Sequence, residues 1–162
     1  MNLWTRIRQM SIKQLYRFGV LFLKNPVLIS PTLKASKETI RTCDMHFGKL
    51  HHSNRKENAF RHALWNYEIS LKCLKKLKNK EKCTNWAEKV TNLYEKVTKN
   101  DLLEEAMDLH NNAVGRKLFL TDFLSNSTEI ERNLLEMTQK SIKFSKIEEL
   151  FHLQDQLVYI SE

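Results

Sequence analysis

The chain has 162 residues and a mass of 19.3 kDa, with 41% apolar and 28% charged residues. That is the profile of one ordinary folded domain, and it excludes a disordered tail or a coiled-coil rod. Three glycines and two prolines are too few for the hairpins of a β-sandwich or for the Gly-rich loops of P-loop and dinucleotide folds. Charge is unevenly divided. Residues 1–84 hold 18 Lys+Arg against 5 Asp+Glu, whereas residues 85–162 hold 9 against 14. Such a field favours an anionic membrane surface or an acidic protein partner. The lysine run Lys72, Lys75, Lys76, Lys78, Lys80 and Lys82 has no interleaved aromatic stacking residues, which argues against nucleic acid and fits solvated helix ends. Cys43, Cys73 and Cys83 form no C-x-x-C pair and fit a reducing, cytoplasmic compartment. His46, His51 and His52 have no zinc-motif spacing, so no metal ligand and no cofactor is expected.

In chain order, residues 1–24 carry Arg6, Arg8, Lys13, Arg17 and Lys24 without an acid, interleaved with Trp4, Ile7, Met10, Leu15 and Tyr16. This predicts a basic amphipathic helix that either lies on a membrane surface or packs on the core. The apolar run Phe18–Leu23 is too short for a signal peptide or a transmembrane helix, so the protein is expected to be peripheral at most. Ser30-Pro31 reads as a cap and N1 proline of a second helix, with Leu33, Ile40, Cys43, Phe47 and Leu50 as its apolar stripe. Asn54 with Glu57 reads as a capping box opening a long helix to about Leu77. Asn85 with Glu88 opens another, with Trp86, Val90, Leu93 and Val97 on one stripe. Asp101 with Glu104 opens the next, reaching Gly115 or Leu124, unless Asn112 and Gly115 break it. Thr128 with Glu131 opens a further helix carrying Ile130, Leu134 and Met137. Ser145 with Glu148 opens a short one, and Leu157–Ile160 predicts a terminal extended segment. The expectation is an all-α single domain, residues 1–162, of six or seven helices.

Two segments are unusual. In the long helix, Phe60, Leu64, Tyr67, Leu71 and Leu74 share one stripe, while His62, Trp65, Ile69 and Cys73 lie opposite. A helix apolar on two faces is central, so His62 is expected to be buried and in need of a partner. In the later helix Asp108, Asn111, Asn112 and Gly115 gather on one side, and His110 joins the apolar face with Leu103, Met107 and Val114. Such poor helix formers cost about 2–3 kcal/mol relative to alanine, which suggests that their side chains are wanted for hydrogen bonding.

The runs Asn58-Ala-Phe-Arg-His-Ala-Leu-Trp-Asn66 and Met107-Asp-Leu-His-Asn-Asn-Ala-Val-Gly-Arg116 resemble the paired motifs of a bacterial family, a domain of unknown function, over residues 54–120. That family often carries an A-H-E helix between the motifs. Here Glu95 matches the acid, but Thr91-Asn92-Leu93-Tyr94 lacks the histidine. Arg61-His62-Ala63-Leu64-Trp65-Asn66 is also similar to the R-H-D-x-x-Y-x-N helix of microbial phospholipases A2. The resemblance implies a general-base histidine paired with an aspartate from a neighbouring antiparallel helix, for which Asp108 would serve. Ala63 replaces the calcium-binding aspartate, so a calcium-assisted route is not expected.

Two functions stay open. One is a hydrolase of an ester or phospholipid-like substrate, with His62 as base and Asp108 as its orienting partner. Arg61, Trp65, Asn66, Glu95, His110, Asn111, Asn112 and Arg116 would then surround the substrate. The other is a non-catalytic binding or scaffold protein with a buried polar network, docked by its basic half.

Overall fold

The computed structural model describes residues 11–98, 101–121 and 127–161. The architecture is all-α. Trp4, Arg6, Ile7, Arg8 and Met10, on which half of the expected N-terminal helix rests, lie outside the described residues, as does Leu124. Helix α1 (Ile12–Leu23) is opened by Ser11 in a capping box with Gln14. A 3₁₀ turn, Pro26–Leu28, leads directly into α2 (Ile29–Phe47). Helices α3 (Lys56–Leu77), α4 (Lys80–Thr98), α5 (Leu102–Thr121) and α6 (Ser127–Gln139) follow. The chain finishes with β1 (Ile142–Lys143), a 3₁₀ turn (Ile147–His152) and β2 (Val158–Tyr159). The expected extended segment is thus a strand, and it pairs in parallel with β1, Ile142 opposite Val158.

Helix α3 is the centre, packed by α2, α4, α5 and α6. Both of its expected faces are covered: Phe60, Tyr67, Ile69 and Cys73 are fully buried. Tyr67 meets Phe119 of α5 edge to face at 5.7 Å between ring centres. Burying each such large side chain contributes about 1.5–3 kcal/mol. Among the described residues no helix is long and apolar enough to cross a membrane.

Several local expectations are corrected. Helix α2 starts at Ile29, so Ser30 and Pro31 sit inside its first turn. Leu33 and Leu50 of the expected stripe are exposed, Cys43 is buried as expected, and the rest of the buried face of α2 is Thr32, Ala35, Ser36, Thr39 and Thr42. Hydroxyls can line a core because they bond locally: Thr32 donates to Leu28 O and Ser36 to Thr32 O. The hydroxyl oxygens of Thr32 and Ser36 in turn accept the indole N–H groups of Trp86 and Trp65, each at 2.9 Å. The Asn54–Glu57 capping box is absent: the residue before α3 is Arg55, without a side-chain cap, and the Asn54 side chain donates to Glu104 while its backbone oxygen receives Ile160 N and Ser161 N. Helix α4 opens at Lys80 with Asn79 Oδ1 capping Lys82 N at 2.8 Å, so Asn85 is mid-helix. Asp101 does cap α5, accepting from the N–H groups of Leu103 and Glu104. Helix α5 then runs unbroken through Asn112 and Gly115.

Candidate functional site

Helices α3 and α5 run in the same direction, in a register of 50 residues: Asn58 meets Asp108, His62 meets Asn112 and Asn66 meets Arg116. The antiparallel helix between them in sequence, α4, closes the third side. The polar side chains of the seam recur every four residues, as neighbours on one helix face must. They are Asn58, His62 and Asn66 on α3, Thr91 and Glu95 on α4, and Asp108, Asn112 and Arg116 on α5. The helices approach closely because position 115 is glycine: a β-carbon there would stand 2.1 Å from Ala63 O.

His62 is 1% exposed. Its Nδ1 lies 3.1 Å from Asn112 Oδ1 and 3.5 Å from Glu95 Oε1. Both are acceptors, since Asn112 Oδ1 also receives Asn66 Nδ2 at 2.6 Å and Asn112 Nδ2 donates to Glu95 Oε1 at 3.3 Å. Nδ1 therefore carries a proton. At Nε2 two groups compete. The Arg61 guanidinium, 2.8 Å away, offers only donors and requires a lone pair there. The Asp108 Oδ1, 3.2 Å away, requires a proton. Neutral imidazole thus bonds Arg61, and imidazolium turns its second N–H to Asp108. The carboxylate is further held by Asn58 Nδ2 at 3.0 Å. Arg61 is fixed in turn by donating to His51 O at 2.6 Å.

Farther along the seam, Thr91 donates to Asn66 Oδ1 at 3.3 Å. Arg116 bridges Asn66 Oδ1 at 3.1 Å and Glu88 at 3.2 Å. Burial pushes the Arg116 guanidinium below its usual pKa, and the Glu88 carboxylate opposes that shift.

Asp108, 4% exposed, and Arg61 also border a pocket. With His52, Ser53, Asn54, Asn58, Glu104 and Ser161 they line a polar pocket of about 420 Å³. His62 stands behind this wall. Asn58 is 2% exposed, and among the described residues its Oδ1 has no hydrogen-bond partner.

Seven of the ten sequence-predicted site residues therefore share one network: Arg61, His62, Asn66, Glu95, Asp108, Asn112 and Arg116. Three do not. Trp65 packs on Tyr94 and bonds Ser36. His110 Nε2 meets Gln156 O at 2.9 Å. Asn111 clamps β2 by accepting from Val158 N and donating to Val158 O. Conversely, Asn58 and Thr91 are network members that the sequence reading missed. Their signal was spacing, each lying four residues before an identified residue, His62 and Glu95.

Among the described residues, two groups place possible metal-ligating atoms within 4.8 Å of one another: His62, Glu95 and Asp108, and Asp44, His51 and His52. In the first, an arginine 2.8 Å from Nε2 puts a fixed cation where an ion would bind. In the second, His51 Nε2 is bonded to Asp44 at 2.9 Å. The two imidazoles lie 3.9 Å apart between ring centres with planes inclined by 44°.

The family model of a domain of unknown function, DUF6973, matches residues 19–143. The chain belongs to that family. The match contains both motif helices, α4 and the entire polar seam, but it ends before Ser161 on the pocket rim. No curated protein and no solved structure matches the chain.

Proposed function

We propose that the protein is a hydrolase of an ester or phospholipid-like substrate, with Asp108 as the group that meets the substrate and His62 as its buried partner. One observation carries this reading: the Asp108 carboxylate, held by Asn58 and His62, forms part of the wall of a polar pocket. A base must reach the proton it removes. Asp108 meets that condition for a water molecule in the pocket, whereas His62, at 1% exposed, acts through Asp108. In this scheme the carboxylate accepts a proton from attacking water, and His62 Nε2 shares the proton with it. The water oxygen adds to the acyl or phosphoryl centre, and as the ester C–O or P–O bond breaks Asp108 returns that proton to the departing alkoxide oxygen, which leaves as the alcohol. Arg61, on the same wall, stabilises the charge that develops on the substrate oxygen. The unpartnered Asn58 Oδ1 would accept a hydrogen bond from the bound ligand.

The likeness to microbial phospholipases A2 supports only the His–Asp pairing. The resemblance implies an antiparallel partner helix, but Asp108 comes from a helix parallel to that of His62, and the antiparallel helix α4 supplies Glu95 to the other ring nitrogen.

A second reading, a non-catalytic binding protein, is favoured by the engagement of Nδ1 with Asn112 and by the depth of His62. The deciding experiment is a screen of the parent, Asp108→Asn and His62→Ala against phospholipids and simple esters. Turnover that falls at least 10²-fold in a folded Asp108→Asn variant supports the hydrolase. Turnover in none of the proteins, together with ligand binding that survives Asp108→Asn, supports the binding reading.

A further inference from the structure

Helix α1 shows three different faces. At about 100° per residue, Gln14, Phe18, Leu21 and Phe22 point towards one side. Phe22 packs on Trp86 with ring centres 5.9 Å apart, and Gln14 donates to Val97 O. That is the inner face. Ile12, Tyr16 and Leu23 fall within about 40° of arc on the outer side, and they are 88%, 71% and 80% exposed. Lys13, Arg17 and Lys24 form a third stripe, again within about 40° and immediately beside the apolar one, and all three are exposed. Val27, 61% exposed, follows in the adjoining turn. No acidic residue occurs before Glu38.

The two alternatives posed by the sequence are therefore not exclusive. The helix is anchored to the body by one face and presents a second apolar face, flanked by cations, to solvent. Water makes that arrangement costly. Among the described residues, nothing packs on this exposed row of three large apolar side chains. Removing Ile12, Tyr16 and Leu23 from water while Lys13, Arg17 and Lys24 stay at the level of phosphate groups requires a surface that is apolar within and anionic at its boundary.

We infer that the outer face of α1 docks on an anionic phospholipid bilayer, lying parallel to the surface with Ile12, Tyr16 and Leu23 in the acyl boundary. Charge complementarity identifies the occupant, because the cationic stripe and the acid-free stretch around it match anionic headgroups. The family match begins at Gly19, so Ile12, Lys13, Tyr16 and Arg17 lie outside it, while Leu23 and Lys24 lie within it. The inference is independent of the hydrolase reading and survives if that reading fails.

The test uses the full chain and sedimentation with vesicles of phosphatidylcholine alone or mixed with phosphatidylserine. Binding is expected to the mixed vesicles, to weaken as salt rises, and to be much weaker to phosphatidylcholine. Lys13→Gln with Arg17→Gln should weaken it roughly tenfold or more. Ile12→Ser with Leu23→Ser should weaken it by a similar factor, because apolar insertion is lost. Lys89→Gln with Lys96→Gln removes the same charge from exposed sites elsewhere and should change it little. All these positions are solvent-facing, so melting temperatures should match the parent and a folding defect would be visible separately. Equal loss in the Lys89/Lys96 pair would reduce the effect to general charge attraction and overturn the proposal. Absence of binding to either vesicle, or binding unaffected by the Ile12/Leu23 pair, overturns it as well. A chain that dimerises through this face instead would show a doubled mass in light scattering, abolished by the Ile12/Leu23 substitutions.

Discussion

The α-carbon of Gly115 faces the backbone of Ala63 so closely that a single methyl group cannot be placed between them: its carbon would stand 2.1 Å from the Ala63 oxygen and 2.7 Å from its α-carbon. The obstacle is main chain rather than a flexible side chain, so α3 and α5 would have to separate. Gly115→Ala is expected to destabilise by about 3 kcal/mol or more, despite alanine's better helix propensity. Urea denaturation measures it, and a neutral or stabilising result would mean that the crossing is looser than described.

Removing the two central groups of the seam should have different consequences. His62→Ala removes the imidazole from Asn112 Oδ1, Arg61 and Asp108, each of which keeps one other partner (Asn66, His51 O and Asn58), and is expected to cost about 1–3 kcal/mol. Asp108→Asn keeps the shape and still accepts from Asn58 at one oxygen, so its melting temperature should stay near the parent's. Two variants that both melt far below the parent would identify the seam as purely structural.

Asn111 holds both polar groups of Val158, at 2.9 and 3.0 Å. Asn111→Ala leaves a buried N–H and a buried C=O unmatched, for an expected loss of about 3 kcal/mol. Amide hydrogen exchange should accelerate at Val158 more than in α3. Unchanged protection there would show that the parallel pairing with β1 holds β2 unaided.

Burial pushes the pKa of His51 below its usual 6.5, against the raising effect of its bond to Asp44. The folded state therefore prefers neutral imidazole, while the unfolded chain takes up the proton first. The contribution of His51 to stability is complete above about pH 6.5 and is lost as pH falls below that value towards the lowered folded pKa. The melting temperature should decline over that interval, and His51→Gln should flatten the decline. A variant with the same slope as the parent would place the titration elsewhere.

Burial also raises the thiols of Cys43 and Cys73, each to about 12. Neither should react with a thiol reagent near neutral pH until the protein is denatured, because the thiolate is the nucleophile. Rapid labelling of the native protein would contradict the buried placement of both groups.

The legibility of this fold follows the range of each interaction. Asp101 could be read as the cap of α5 because a cap is settled within three residues. The two-faced character of α3 was equally plain, since amphipathicity is local. The inner face of α2 was hidden: threonine and serine look like surface residues until the indoles of Trp65 and Trp86 arrive from other helices. The start of α4 was misplaced for a smaller reason, since Asn79 and Asn85 are both adequate caps and only the sharp turn after Lys78, with its positive φ of 51°, selects the first. In the site, the four-residue rows marked His62, Asn66, Asp108, Asn112 and Arg116. Asn111 sits one residue out of that row and serves a strand 47 positions away, a pairing that local pattern cannot reveal.

The contact of Asn54 O with the amides of Ile160 and Ser161 has a temporal consequence. The seam of α3, α4 and α5 can close once residue 121 is available, but the pocket rim still needs Ser161. At about 5–20 residues per second, the 40 residues or so from 122 to 161 take roughly 2 to 8 s to be synthesised. During that interval a nascent chain holds its Asp108–His62 pair with one wall of the pocket missing. The pocket therefore stays open on the side of Ser161 until that residue has been made.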